Sequence, residues 1–218
     1  MGEQRIAGEG LSLSQNSDWS NINFALGAFT LFSDGRFVDD RFSGQATMKV
    51  ASLGFNSVDG RLQVDNVQAA VSIAGIAVES YKAIVAGLNE MQVTGAPSVQ
   101  LMDEANVLLR NGFVLEFSDW QAVVDDQNIA FNAMFELPEN TVADVNNLFS
   151  LIGLFASVKA NAALHFDAGL SDVPLLYDAV FGLLSSGAVV NNGDDYSMSF
   201  TLENGVATLN GEPLSLPF

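Results

Sequence analysis

The segment FVLEFSDWQAVVDDQNIAFNAMFE, residues 113–136, decides how the rest of the chain is read. Phe113, Leu115 and Phe117 stand two apart, and Trp120, Ala122 and Val124 follow. After the polar run Asp125-Asp126-Gln127-Asn128, Ile129, Phe131, Ala133 and Phe135 alternate with Ala130, Asn132, Met134 and Glu136. Side chains of a strand point to opposite faces with a period of two, so both runs read as strands with one apolar face. The polar run between them reads as a hairpin turn.

The same period recurs on both sides. Before it come Leu11-Ser12-Leu13-Ser14, then Ile22, Phe24 and Leu26, then Phe29 and Leu31, with Asp34-Gly35 as a turn signal. Ala46–Val50 follows, Val58-Asp59-Gly60-Arg61 is a second turn signal, and Leu62, Val64 and Val67 carry the pattern to Ile73. After it come Val158, Ala160, Ala162, Leu164 and Phe166, and later the alternating Tyr196–Leu202. Asn204-Gly205 and Asn210-Gly211 are two-residue turn formers, because both residue types tolerate positive φ.

Helical spacing interrupts the strands four times. Ile84, Val85, Leu88 and Met91 share a face from about Ser80 onward. Leu101, Met102, Ala105, Leu108 and Leu109 share another, ended by Asn111-Gly112, with Gly112 suited to a left-handed cap. A third helix is expected from about Thr141 to Phe155, opened by a capping box at Thr141 and Asp144. A fourth is expected from Ser171 as N-cap, with Pro174 in the first turn and Gly187 closing it. Helices between blocks of strands predict an α+β fold: a large curved, mainly antiparallel sheet with about four helices packed on it. One domain over 1–218 is expected, with sub-regions 1–95 and 96–218 meeting at Ala96-Pro97.

Composition narrows function. The 218 residues carry 26 acidic and 8 basic side chains, a formal net charge of −18. Such a surface repels phosphate backbones and anionic headgroups, which argues against nucleic acid and against charge-driven membrane docking. With no Cys there are no disulfides, thiolate metal sites or Cys nucleophiles. The longest apolar stretches, 145–158 and 179–193, read as helices with buried faces rather than membrane spans.

The final third has a recognisable order. The strand Ser157–Leu164 is followed by a helix opening on Val173-Pro174-Leu175-Leu176-Tyr177-Asp178. The closing words are Leu202-Glu203-Asn204-Gly205-Val206 and Leu209-Asn210-Gly211-Glu212-Pro213-Leu214. Over roughly residues 100–218 the chain resembles the C-terminal part of the YdgA-like bacterial envelope proteins, a family of unknown function. The resemblance implies a periplasmic protein tethered to the inner membrane by an N-terminal segment outside this sequence; the residues themselves leave a cytoplasmic protein as the alternative. It carries over no catalytic residue.

The residues offer little else that is reactive. His165 is the only His, which forbids a multi-His metal site; alternation places it on the polar side of its strand. Asp39-Asp40, Asp125-Asp126 and Asp194-Asp195 could gather Ca²⁺ with nearby Asn oxygens, or simply cap hairpin turns. No glycine-rich phosphate loop or Gly-x-Ser-x-Gly elbow occurs. No catalytic residue, cofactor or metal site is assigned. Phe113, Leu115, Phe117, Phe131 and Phe135 either fill a core or line an apolar trough. The expectation is a non-enzymatic envelope module that binds a partner protein or a hydrophobic ligand. The alternatives are a carboxylate-dependent hydrolase of an envelope polymer and a Ca²⁺-stabilised interaction domain.

Overall fold

The structure, a computed structural model, describes residues 2–17, 20–57, 60–95, 99–139 and 148–214. The strands run as one antiparallel meander, in which the first and second strands pair with the fourth and third and each long strand from the fifth on pairs with the strand before it. It begins with β1 (Gly2–Gly8), β2 (Leu11–Ser17), β3 (Ser20–Leu26) and β4 (Phe29–Val38). The longest strands follow, β5 (Arg41–Ser57) and β6 (Gly60–Ala77). Seventeen residues of β5 reach roughly 55 Å. Helices α1 (Val78–Thr94) and α2 (Val99–Asn111) lead to β7 (Phe113–Val124) and β8 (Gln127–Leu137). Helix α3 (Leu148–Ser157) precedes β9 (Lys159–Asp167). A 3-10 turn (Ala168–Asp172) and α4 (Tyr177–Ser185) then lead to β10 (Val190–Asn191) and β11 (Asp195–Glu203). The sheet finishes with β12 (Val206–Leu209) and β13 (Glu212–Pro213).

Thirteen strands and four helices make the described chain predominantly β, where α+β was expected; the mainly antiparallel sheet and the number of helices are as read from the sequence. The sheet is continuous across the expected sub-region boundary, because β6 pairs with β7 from Val64 opposite Val124 to Ala74 opposite Val114.

Turn chemistry sets the register. Asp39-Asp40 joins β4 to β5 with φ of 49° and 59°, and Asp125-Asp126 joins β7 to β8 with φ of 45° and 67°. Positive φ at both central residues gives the turn whose twist suits a two-residue hairpin. Asn204-Gly205 does the same between β11 and β12. The expected turn at Asp34-Gly35 is not one. β4 runs through it to Val38, and the Phe42 ring lies against the bare Gly35 backbone from the neighbouring strand.

Two other expectations change. The fourth helix starts at Tyr177, not near Pro174. Val173 precedes a proline and is extended (φ −79°, ψ 111°), which splits the expected helix into a 3-10 turn and α4. In α1, Val85 and Leu88 of the expected stripe are exposed. The capping box at Thr141 and Asp144, the joint at Ala96-Pro97 and the Val58-Asp59 turn lie outside the described residues.

Among the described residues three clusters form the core. At one end of the sheet Leu170, Val173 and Val180 pack on Val124 and Phe166. At the other, Leu109 of α2 and Leu154 of α3 pack on Leu137, Val158, Leu202 and Ala207. The third cluster, Val50, Val67 and Ala122 with Leu26, Phe29, Leu53, Val64 and Ile129, is made of sheet residues alone.

Candidate functional site

Cross-strand partners share a face, so the register shows what each face carries. One row reads Ala46, Val71, Phe117, Ala133, Ala162, Phe200 and Leu209, across β5 to β12. A parallel row reads Gly44, Ile73, Leu115, Phe135, Ala160, Leu202 and Ala207. With strands about 4.8 Å apart, each row is roughly 29 Å wide. The opposite face reads Gln45, Ser72, Glu116, Met134, Asn161, Thr201 and Thr208. The sheet therefore has one apolar and one polar face.

A bulge preserves this in β7. Asp119 takes φ of 53°, and pairing shifts between Phe117 and Trp120. One added residue resets the alternation, so Trp120 falls on the same face as Phe117 and stands edge-on to Phe131 at 6.3 Å.

All five residues singled out from the sequence lie on the apolar face, but in different company. Phe113 and Phe135, with centroids 5.6 Å apart, belong to the cluster under α2 and α3. Leu115, Phe117 and Phe131 occupy the stretch between the two helix-covered ends, and Phe117 is 40% exposed. The face continues into residues that sequence reading did not select. Ile6, Leu31 and Met48 form one cross-strand row and are 54%, 39% and 38% exposed. Near its margin is a cleft of about 440 Å³, floored by Gly35, Gly44 and Ala46 and walled by Phe37, Phe42 and Tyr81. Tyr81 of α1 stacks on Phe42 at 4.3 Å, joining helix to sheet at that wall. Alternation in each strand was legible; which strands lie side by side was not.

Among the described residues the polar face carries one histidine–carboxyl contact with a perturbed carboxyl. His165 Nε2 lies 3.0 Å from Asp195 Oδ2. The His165 imidazole, and after it the Asn192 side chain, hold the Asp195 carboxyl below the ordinary aspartate range. Ser197 stands opposite His165, and its hydroxyl accepts the Asn192 amide at 2.9 Å. Among the described residues no hydrogen bond joins Ser197 to the imidazole, and His165 is half exposed. Asp167 instead accepts the backbone N–H and side-chain amide of Asn128, at 2.8 and 2.7 Å.

Asp125 accepts the Gln63 N–H at 3.1 Å, and Asn191 accepts the Gly193 N–H at 2.7 Å. Among the described residues no three His, Asp or Glu side chains gather in a way that could hold a metal ion. No described helix is long and apolar enough to cross a membrane.

Compared with known proteins, the chain matches no family model, no curated protein and no solved structure.

Proposed function

We propose that the protein is a non-enzymatic binding module whose apolar sheet face receives a hydrophobic ligand between its two helix-covered ends. The observation that carries this reading is the width of that face against the little that covers it. The accessible surface is 13525 Å², whereas a compact monomer of 23.2 kDa exposes about 9,700 Å². A single-layer sheet with helices at its ends accounts for the excess.

The sheet curves toward its apolar side in this reading. Val50, Val67 and Ala122 are only 5–7% exposed although their neighbours are all sheet residues. Chain irregularities line up beside them. Gly27 N–H donates to Ser52 at 2.7 Å, Ala51 N–H to Ala28 at 2.7 Å, and Asn66 has φ of 54°. A fold along that line gives a trough rather than a plane, with Leu115, Phe117 and Phe131 toward its floor and Phe113 and Phe135 at its helix-covered end. The net charge of −18 disfavours an anionic headgroup, so the ligand class is a neutral or zwitterionic amphiphile. The resemblance to YdgA-like envelope proteins supports this reading, since such ligands are abundant in an envelope.

Trp120 reports on the trough. In a Trp19→Phe protein, titrating lysophosphatidylcholine below its micelle concentration should shift Trp120 emission to the blue. Phe117→Asp should weaken that response at least tenfold. Native mass spectrometry that finds the purified protein empty, together with unmoved Trp120 emission, would reject the reading.

A further inference from the structure

β1 pairs with β4 along one side only, and it is an edge of the described sheet. Gly2 through Ala7 are all exposed. The backbone groups on the outer side of an edge strand form a template for another strand, unless the side chains oppose it. Here they select one partner. Glu3 and Arg5 lie on the polar face, while Gln4 and Ile6 lie on the apolar face, beside Ser33 and Leu31.

We propose that β1 pairs antiparallel with β1 of a second copy, about a two-fold axis at Gln4, so that two sheets become one. With the axis at Gln4, Glu3 of each copy stands opposite Arg5 of the other, giving two cross-strand ion pairs on the polar face. Ile6 of each copy stands opposite Gly2 of the other, and no heavy atom lies within 4 Å of where a Cβ on Gly2 would sit. An axis at Arg5 would set Arg5 against Arg5, and an axis at Glu3 would set Glu3 against Glu3. Like charges directly opposite are destabilising, so charge favours the axis at Gln4 over those at Glu3 and Arg5.

The axis is perpendicular to the sheet, which keeps both apolar faces on one side and continues the half-exposed Ile6 row into the second copy. With this axis the described pairs run from Gly2 opposite Ile6 through Gln4 opposite Gln4, within β1. At Glu9-Gly10 the strand breaks, with Gly10 at φ of 148°. The opposite edge has no comparable strand, because β13 has two residues and β12 four. This association is separate from ligand binding and does not depend on it.

Sedimentation velocity of the full chain over a wide loading range tests the pairing. The intact protein is expected to show a monomer–dimer equilibrium at micromolar to millimolar loading. Arg5→Glu and Glu3→Arg are each expected to weaken it at least tenfold, and the double exchange E3R/R5E to restore it. Far-UV circular dichroism should be unchanged in all three, since these side chains are exposed. Amide exchange within Gly2–Ile6 should slow at high loading. A chain that stays monomeric at millimolar loading overturns the proposal. So does a dimer indifferent to the single exchanges, or one that the double exchange fails to rescue.

Discussion

Arg41 ties three separate parts of the chain together. Its Nη1 donates to the carbonyls of Gly75 at 2.7 Å and Asn111 at 3.1 Å, and its Nη2 reaches Glu139 at 2.7 Å. These contacts join the start of β5, the end of β6, the C-terminus of α2 and the residues after β8. The Glu139 pair is largely exposed and contributes little, while charged hydrogen bonds to part-buried carbonyls contribute more. Arg41→Ala should therefore cost about 2 kcal/mol in urea unfolding, and Arg41→Lys should recover only part of it. The Asp195 carboxyl gives a pH prediction. Its folded pKa is depressed, so its contribution is complete above the unfolded value and is lost as pH falls through the folded one. An NMR titration of the Asp195 side chain should show a midpoint below the usual aspartate range, moving upward in His165→Ala. Neither partnership was legible in the sequence. His165 and Asp195 are thirty residues apart, and only the β9–β11 pairing brings them within reach.

The ends of α1 and α2 both use glycine at positive φ, for different surroundings. Gly95 closes α1 at φ of 75° with open space around it. Gly112 closes α2 at φ of 68°, where an added Cβ would stand 2.5 Å from the Leu137 carbonyl and 2.7 Å from the Glu139 nitrogen. Gly95→Ala should cost about 1 kcal/mol, the strain of a left-handed residue. Gly112→Ala adds a clash with backbone, which cannot rotate away, and should cost about 2–4 kcal/mol in all. Paired thermal melts of the two variants check the difference. The cap at Gly112 was readable from Asn111-Gly112 alone; the tight approach of residues 137–139 was not. The fourth helix shows the converse. Ser171 and Pro174 form a plausible helix start by local rules, yet Val173 is buried against the sheet in extended form. Burial and the proline together outweigh the cap.

The whole protein carries its charge on a thin body. With a net −18 and no thick core to offset self-repulsion, stability should rise with salt. The thermal midpoint should climb between 10 mM and 150 mM sodium chloride, as repulsion beyond a Debye length of about 30 Å shortens to about 8 Å. A midpoint that falls over this range would mean that attractive ion pairs dominate instead.

Period-two alternation and the turn residues established the meander, because a strand's facing and a tight turn's positive φ depend on residues a few positions apart. They established in the same way that Phe113, Leu115 and Phe117 share one face of their strand and Phe131 and Phe135 one face of theirs, while the bulge at Asp119, which no turn signal announces, sets all five on the same side of the sheet. The tertiary structure alone decided which of them lie under helices and which lie between, since α2 and α3 meet β7, β8 and β9 only after the chain has turned back several times. It also decided that the apolar rows run unbroken from β5 to β12. Such a row is a sum of register choices between distant strands, and no local window of sequence contains it.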